Sequence, residues 1–383
     1  MKIINGSVYG ADFKFSNQTI LTKDDRIESI DPAMPGAVTE SDDILDASDC
    51  YVIPGLTDVH FHGCVNHDFC DADFEGVHTM AQYELQNGVT TICPATMTLG
   101  ADTLSAICRN GAAYHNANPE DGAELIGINL EGPFIAMSKK GAQNPAFVQK
   151  ANPELLKHLQ EDAEGLVRLV TIAPEEEGAL DCIRKCSSEY HFSLGHTASD
   201  YDTACKAFQA GADHVTHLYN AMPPLNHRNP GVIGAVRDSE TCHAELICDG
   251  VHIHPSVIRA TFAMFGAKRM ILISDSMRAT GLNDGDYTLG GQPVKVKGNL
   301  ATLHDGTIAG SATNLMDCVR FVVKKVGLPF ETAVMCASEN PAKEIGIFHE
   351  VGSISAGKKA DFVLLDKDLN IVSVYVDGKE ITC

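Results

Sequence analysis

The chain has 383 residues, 44% of them hydrophobic, with 51 acidic against 29 basic residues and a formal net charge of −22. The length suits one large barrel with an accessory domain, or two medium domains. The acidic balance, with no basic block to offset it, argues against nucleic acid or an anionic membrane as partner and leaves any anionic substrate in need of a local cluster of donors.

Residues 1 to about 53 read as short strands with turn punctuation: Lys2–Val8, Phe13–Phe15, Gln18–Leu21, Arg26–Ile30 and Cys50–Ile53. The far end has the same character, at Gly352–Ile354, Ala360–Leu365 and Ile371–Val376, broken by Gly357, Asp366 and Asp377-Gly378. A small β-sandwich built from both ends, residues 1–53 and 346–383, is therefore expected around a catalytic domain of residues 54–345.

From Pro54 the pattern changes to alternating strands and helices. Strands are expected at Asp58–His62, Thr90–Pro94, Ile126–Leu130, Arg168–Ile172, His191–Gly195, His214–Thr216, Ala244–Cys248 and Met270–Ser274. Helical stretches fall between them at Thr79–Asn87, Leu104–His115, Pro153–Asp162 and Ala179–Tyr190, with Asn152 as a cap before Pro153. Tyr201–Ala210 has apolar residues at helical spacing, with Gly211 as its stop. Eight such units predict an α/β fold, a (β/α)8 TIM-like barrel, with the Gly-rich stretch Gly285–Gly310 as an excursion after the eighth strand. The amino-terminal segment lacks the apolar core of a signal peptide, and no run approaches the roughly 18 apolar residues of a membrane span. Thirteen cysteines without a CxxC pair read as reduced thiols, so a cytoplasmic protein is expected.

The strand ends carry the chemistry. The first reads Asp58-Val59-His60-Phe61-His62, and a period of two puts Asp58, His60 and His62 on one face. Glu131 ends the third, His196 the fifth and His217 the sixth; Asp249 and His252 follow the seventh and Asp275 the eighth. Taken singly, each has a bland explanation. An HxH pair occurs by chance on exposed strands, a glutamate before Gly-Pro is usually a turn residue, and an aspartate there more often caps the next helix. Together they sit at the carboxyl-terminal face, where barrel enzymes build their active sites. Two histidines and a glutamate hold a divalent ion with a position left for water. Glu131, His196 and His217 could form one such set, and His60 and His62 could hold a second ion with Glu131 between the two. A bound ion lowers the pKa of its water to about 7, and Asp275 is placed to act as general base and then acid.

Pro54-Gly55-Leu56-Thr57-Asp58-Val59-His60-Phe61-His62-Gly63 resembles the entry motif of the amidohydrolase superfamily, and Gly352–Val363 resembles its return to the β-sandwich. More narrowly, Glu131-Gly132-Pro133-Phe134, Lys140-Gly141-Ala142, Gly195-His196-Thr197, Thr216–Met222, Asp249–His252 and Ser274–Met277 are similar, in this order, to the N-acetylglucosamine-6-phosphate deacetylases. The resemblance implies hydrolysis of the N-acetyl group of a 2-acetamido-sugar 6-phosphate, with Glu131, His196 and His217 holding the principal ion and Asp275 as base and acid. It also implies that Asn220, the Ala221 N–H and Arg228 take the phosphate, that His252 and the backbone at Ala142 contact the sugar, and that Gln143 stands where some members polarise the acetyl carbonyl with a histidine. The expected cofactor is zinc, with ferrous iron as an alternative: one essential ion and capacity for a second at His60/His62. The expected assembly is a homodimer in which Arg228 reaches the partner's site. Alternatives left open are a deacetylase of the galactosamine epimer and a non-catalytic metal-binding relative.

Overall fold

The computed structural model describes residues 1–32 and 43–381. Residues 33–42 and 382–383, which the expected terminal domain includes, lie outside the described residues. The two ends of the chain share one sheet. Lys2–Tyr9, Phe15–Lys23, Arg26–Pro32, Ile44–Asp46 and Tyr51–Pro54 come from the front of the sequence, and Phe362–Leu365, Ile371–Val376 and Lys379–Ile381 from the back. The arms meet where Phe362–Leu365 pairs antiparallel with Tyr51–Pro54. Ile3, Val8, Ile20 and Val52 then share a core with Phe362, Leu364 and Tyr375, so the expected union of the two ends takes the form of one continuous mixed sheet. The two segments expected at Phe13–Phe15 and Gln18–Leu21 are one strand, because Phe15 to Lys23 pairs along its length with the first strand.

The other expected terminal strand, Gly352–Ile354, is a bend. Gly352 has φ 82° and packs so closely that a Cβ there would lie 2.7 Å from the Ala342 Cβ and 2.9 Å from the Ser338 carbonyl oxygen. Only glycine fits both the angle and the approach.

Eight parallel strands follow one another around a ring. The first, Leu56–Asp58, pairs with Val89–Ile92, which reaches the third, Ile128–Phe134, through an Ala95–Asn129 bridge. Val167–Ile172, His191–Leu194, His214–Val215, His243–Ile247 and Met270–Ile273 continue in register. Backbone bonds from Asp275 N–H to the His60 carbonyl (2.9 Å) and from His62 N–H to the Ser276 carbonyl (2.8 Å) close the eighth strand onto the first. This is the TIM-like barrel, and its closing seam runs through the site residues themselves.

The helices begin and end as their caps dictate. Asn152 accepts the N–H groups of Glu154 and Leu155 ahead of Pro153–Asp162, and Gly211 ends Tyr201–Ala210 in the left-handed region. Phe74–Gln86 starts earlier than its apolar spacing suggested, because the Asp73 carboxylate caps it through the Gly76 N–H. Gly285–Leu289, Gln292–Lys297 and Leu300–Thr302 form the expected excursion as an antiparallel three-stranded sheet. The terminal sheet docks through an aromatic seam, with Phe15 stacked on Phe330 at 5.0 Å and Tyr51 edge-on to it at 5.3 Å. The cysteines of the described residues are unpaired thiols, most of them buried.

Candidate active site and metal centre

Three of the candidate side chains leave their strands at abrupt turns. His196, His217 and Asp275 have φ of 46°, 27° and 48°, values that non-glycine residues adopt at a cost and that cluster where geometry serves function. The turn after the fifth strand needs room, and Gly195 supplies it: a Cβ there would lie 2.6 Å from the Thr216 Cβ and 2.9 Å from the Thr171 Cγ2.

The imidazoles converge on one carboxylate. Glu131 Oε1 lies 3.0 Å from His196 Nε2, 2.9 Å from His217 Nε2 and 3.5 Å from His60 Nε2, while Oε2 lies 3.4 Å from His62 Nε2. Asp275 Oδ1 is 3.3 Å from His62 Nε2 and 3.9 Å from His60 Nε2. All six side chains are buried. Two ligand groups result, Glu131/His196/His217 and His60/His62/Asp275, each with one ligand atom per residue within 4.8 Å of the others. The second adds Asp275 to the pair expected from sequence. Asp58, expected on the same face, does not join: its carboxylate accepts the His60 N–H at 3.1 Å and the Ser274 N–H at 3.3 Å. The strand stops at Asp58, so the period of two no longer applies beyond it.

Outer bonds fix the rings. His196 Nδ1 faces the Lys139 carbonyl at 2.9 Å, His62 Nδ1 the Ala95 carbonyl at 3.3 Å and His60 Nδ1 Glu245 Oε2 at 2.8 Å. Each leaves Nε2 as the inward atom, the arrangement of metal-ligating histidines. The test of fit is His60 Nε2, which is buried and has no hydrogen-bond partner. A divalent cation would satisfy it, and two imidazoles with a carboxylate suit such an ion.

Burial pushes the Glu131 carboxyl up, but His196, His217 and His60 outweigh it and hold the group well below its ordinary range. Burial likewise opposes ionisation of Asp275, yet His62, His60 and His217 keep it lowered. An ionised Asp275 is a proton acceptor from the outset.

These groups open into a cavity of about 380 Å³. Ala142, Gln143, Asn220, Ala221 and His252, all expected as substrate contacts, line it with His62, Glu131, His196, His217 and Asp275. Arg228 does not; it is exposed on the loop after the sixth strand. Gln143 is more constrained than its position in the motif suggested. Its Oε1 accepts the Thr98 N–H at 2.6 Å, so its amide nitrogen must be the inward end, and that nitrogen donates to Glu131 Oε2. One N–H remains for a ligand. His252 donates Nδ1–H to Asp249 at 2.7 Å, and Asp249 also accepts the backbone N–H groups of Val251 and His252. Burial opposes a charge on His252, but Asp249 outweighs it and raises its pKa.

Sequence reasoning passed over Thr98, Asp249 as the holder of His252, and Glu245. Glu245 had a visible signal, since it is a charge inside the apolar run Ala244–Cys248.

Comparison with known proteins agrees with the geometry. Residues 51–381 match the Amidohydrolase family. An N-acetylglucosamine-6-phosphate deacetylase of Bacillus subtilis is 38% identical over 341 residues, 88% of this chain and 86% of that one. An N-acetylgalactosamine-6-phosphate deacetylase of Escherichia coli O157:H7 is 33% identical over 355 residues, 92% of each. The solved structure of a mutant N-acetyl-D-glucosamine-6-phosphate deacetylase from Mycobacterium smegmatis, in complex with N-acetyl-D-glucosamine-6-phosphate, superposes with a TM-score of 0.93 at 31% identity over 100% of this chain and 99% of that chain. A continuous match from Tyr51 to Ile381, over a barrel whose strand ends present these ligands, leaves one assignment: the chain belongs to the amidohydrolase family.

Proposed function

We propose that the protein hydrolyses the N-acetyl group of N-acetylglucosamine 6-phosphate, giving glucosamine 6-phosphate and acetate. The observation that carries this reading is the convergence of four imidazole Nε2 atoms on Glu131 with Asp275 beside them, in a cavity of sugar-phosphate size. Relatives of 33–38% identity that bear this activity in their names support the substrate.

A divalent ion held by Glu131, His196 and His217, zinc in our reading, supplies Lewis acidity and acidifies a water when bound. The chain's own groups do the rest. The free N–H of Gln143 donates to the acetyl oxygen, and Asp275 takes a proton from the attacking water as its oxygen joins the acetyl carbon. Asp275 then returns that proton to the nitrogen as the C–N bond breaks, so that the amine leaves neutral. His252 and the Ala142 backbone hold the sugar, while Asn220 and the Ala221 N–H meet the phosphate. Arg228 completes the phosphate contact from the partner of a homodimer. In support, its loop projects into solvent and exposes Leu225 beside it. The free thiols support a reducing, cytoplasmic setting.

The test is amine release from N-acetylglucosamine 6-phosphate, its unphosphorylated parent and the galactosamine epimer, with elemental analysis of the same sample. No amine from either 6-phosphate by metal-replete protein would sink the proposal. The E. coli relative favours keeping the epimer in the comparison, and parallel rates on the two 6-phosphates rank them.

A further inference from the structure

Glu245 lies in the seventh barrel strand among Ala244, Leu246 and Ile247 and is wholly buried. A charge there is costly unless its oxygens are bonded, and both are. Oε2 faces His60 Nδ1 at 2.8 Å and accepts the His217 N–H at 3.0 Å; Oε1 faces His214 Nε2 at 3.1 Å. His214, buried at the start of the sixth strand, faces Glu344 Oε1 through Nδ1 at 2.7 Å, and Glu344 Oε2 meets His243 Nδ1 at 2.6 Å. A carboxylate on each ring nitrogen makes His214 a donor at both. Burial would lower its pKa, but Glu344 and Glu245 outweigh that and push it up to about 10. The result is a buried chain of alternating rings and carboxylates, from the ligand group through the barrel interior to half-buried His243 at its base.

Its upper end bears on both ligand groups. Glu245 grips the ring of His60 in one group and the main chain of His217 in the other, and its own carbonyl accepts the Leu218 N–H at 2.9 Å. His217 is the residue with φ 27°, and those two bonds straddle it.

We propose that Glu245, clamped from below by His214 and Glu344, is the positioning residue that fixes the ring of His60 and the turn of His217, and so organises metal uptake at both groups. The proposal rests on the metal reading of the site. With Nδ1–H committed to Glu245, the free Nε2 lone pair of His60 is the one aimed at Glu131 and Asp275. Outer partners of this kind typically change metal affinity about 10–100-fold when removed.

The experiment titrates metal-free protein with Co2+, read by its visible ligand-field absorption, in wild type, Glu245→Leu, Glu245→Gln and Glu344→Gln. Thermal unfolding of each metal-free protein runs alongside. Glu245→Leu should weaken the first equivalent about 10–100-fold and lose the second from the accessible range. Glu245→Gln, which keeps an acceptor for His60 and His217, should recover most of that loss. Glu344→Gln should shift affinity in the same direction by a smaller factor, although Glu344 contacts neither of the two ligand groups, only His214 and His243. A purely structural role would lower the unfolding temperature while leaving affinity and spectrum unchanged, and that result overturns the proposal. Equal losses in the Gln and Leu variants overturn it too, since a shared acceptor would then make no difference. If Glu245→Leu does not fold, wild-type affinity in both Glu245→Gln and Glu344→Gln is decisive against it. A wild-type protein that takes up no Co2+ would instead defeat the metal reading beneath it.

Discussion

The Nε2 atoms of His196 and His217 stand 3.1 Å apart, and both face the same oxygen of Glu131. Two ring nitrogens at that distance need a proton or a cation between or beside them. We expect chelation to abolish turnover and one equivalent of divalent metal to restore it, with a second equivalent entering the His60/His62/Asp275 group more weakly. Metal analysis during titration checks this. Activity that saturates at one equivalent, with no further uptake at excess metal, would count against the second site.

Asp275→Asn should keep the ion held by Glu131, His196 and His217 and its substrate affinity while turnover falls about 10²–10⁴-fold, because asparagine keeps the shape but cannot take the proton. Steady-state rates beside metal content make the measurement. Retention of more than about a tenth of wild-type turnover would be too much for a general base worth that factor.

Arg228→Ala should raise KM strongly for the 6-phosphate and leave the slow reaction of the unphosphorylated sugar unchanged. A guanidinium matches paired phosphate oxygens, and in a chain of net charge −22 that local cation counters an unfavourable field. Subunit exchange with Asp275→Asn should then regain part of the activity, since one site in each mixed dimer holds both residues. Verified mixed dimers with no gain would refute supply of Arg228 by the partner.

Asp361 gives a pH-dependent prediction away from the site. Burial, with Asp377 and Glu124 adding to it, raises its carboxyl to about 7, although one oxygen accepts the Asp377 N–H at 2.8 Å. Between about pH 4 and 7 the folded protein holds a proton that the unfolded chain has released, so this group's contribution to stability falls as pH rises. Asp361→Asn keeps the acceptor and cannot ionise. Its stability relative to wild type should grow across that window by at most a few kcal/mol, at about 1.4 kcal/mol per pH unit. Urea unfolding at several pH values reads the difference, and a constant difference would rule the effect out.

Much of the site could be read from sequence because a barrel puts strand ends in one place. Once eight strands were counted, His60, His62, Glu131, His196, His217 and Asp275 had to converge. What could not be read depends on contacts between distant segments. The left-handed positions at His196, His217 and Asp275 are not themselves glycine or asparagine, so the residue type there does not announce the turn. The inward end of the Gln143 amide is set by Thr98, 45 residues away, and His214 meets Glu344 across 130 residues. The bend at Gly352 reads locally as a strand; its φ of 82° and its close approach to Ala342 and Ser338 join segments that are apart in the sequence. The sixth barrel strand, two residues long, has too short a periodicity to identify on its own.

The pairing of Tyr51–Pro54 with Phe362–Leu365 sets a timetable for biosynthesis. A ribosome adding 5–20 residues each second reaches the second of these strands roughly 15–60 s after the first. Throughout that interval Tyr51–Pro54 can pair with Lys2–Tyr9 on one side only, and its other edge is bare while the barrel is being made. An unprotected β-edge lying next to the entry strand of the catalytic barrel is where a nascent chain would join a neighbour on the same message. A holdase that covers this edge until Phe362–Leu365 emerges should therefore raise the yield of native protein without altering the stability of the finished fold.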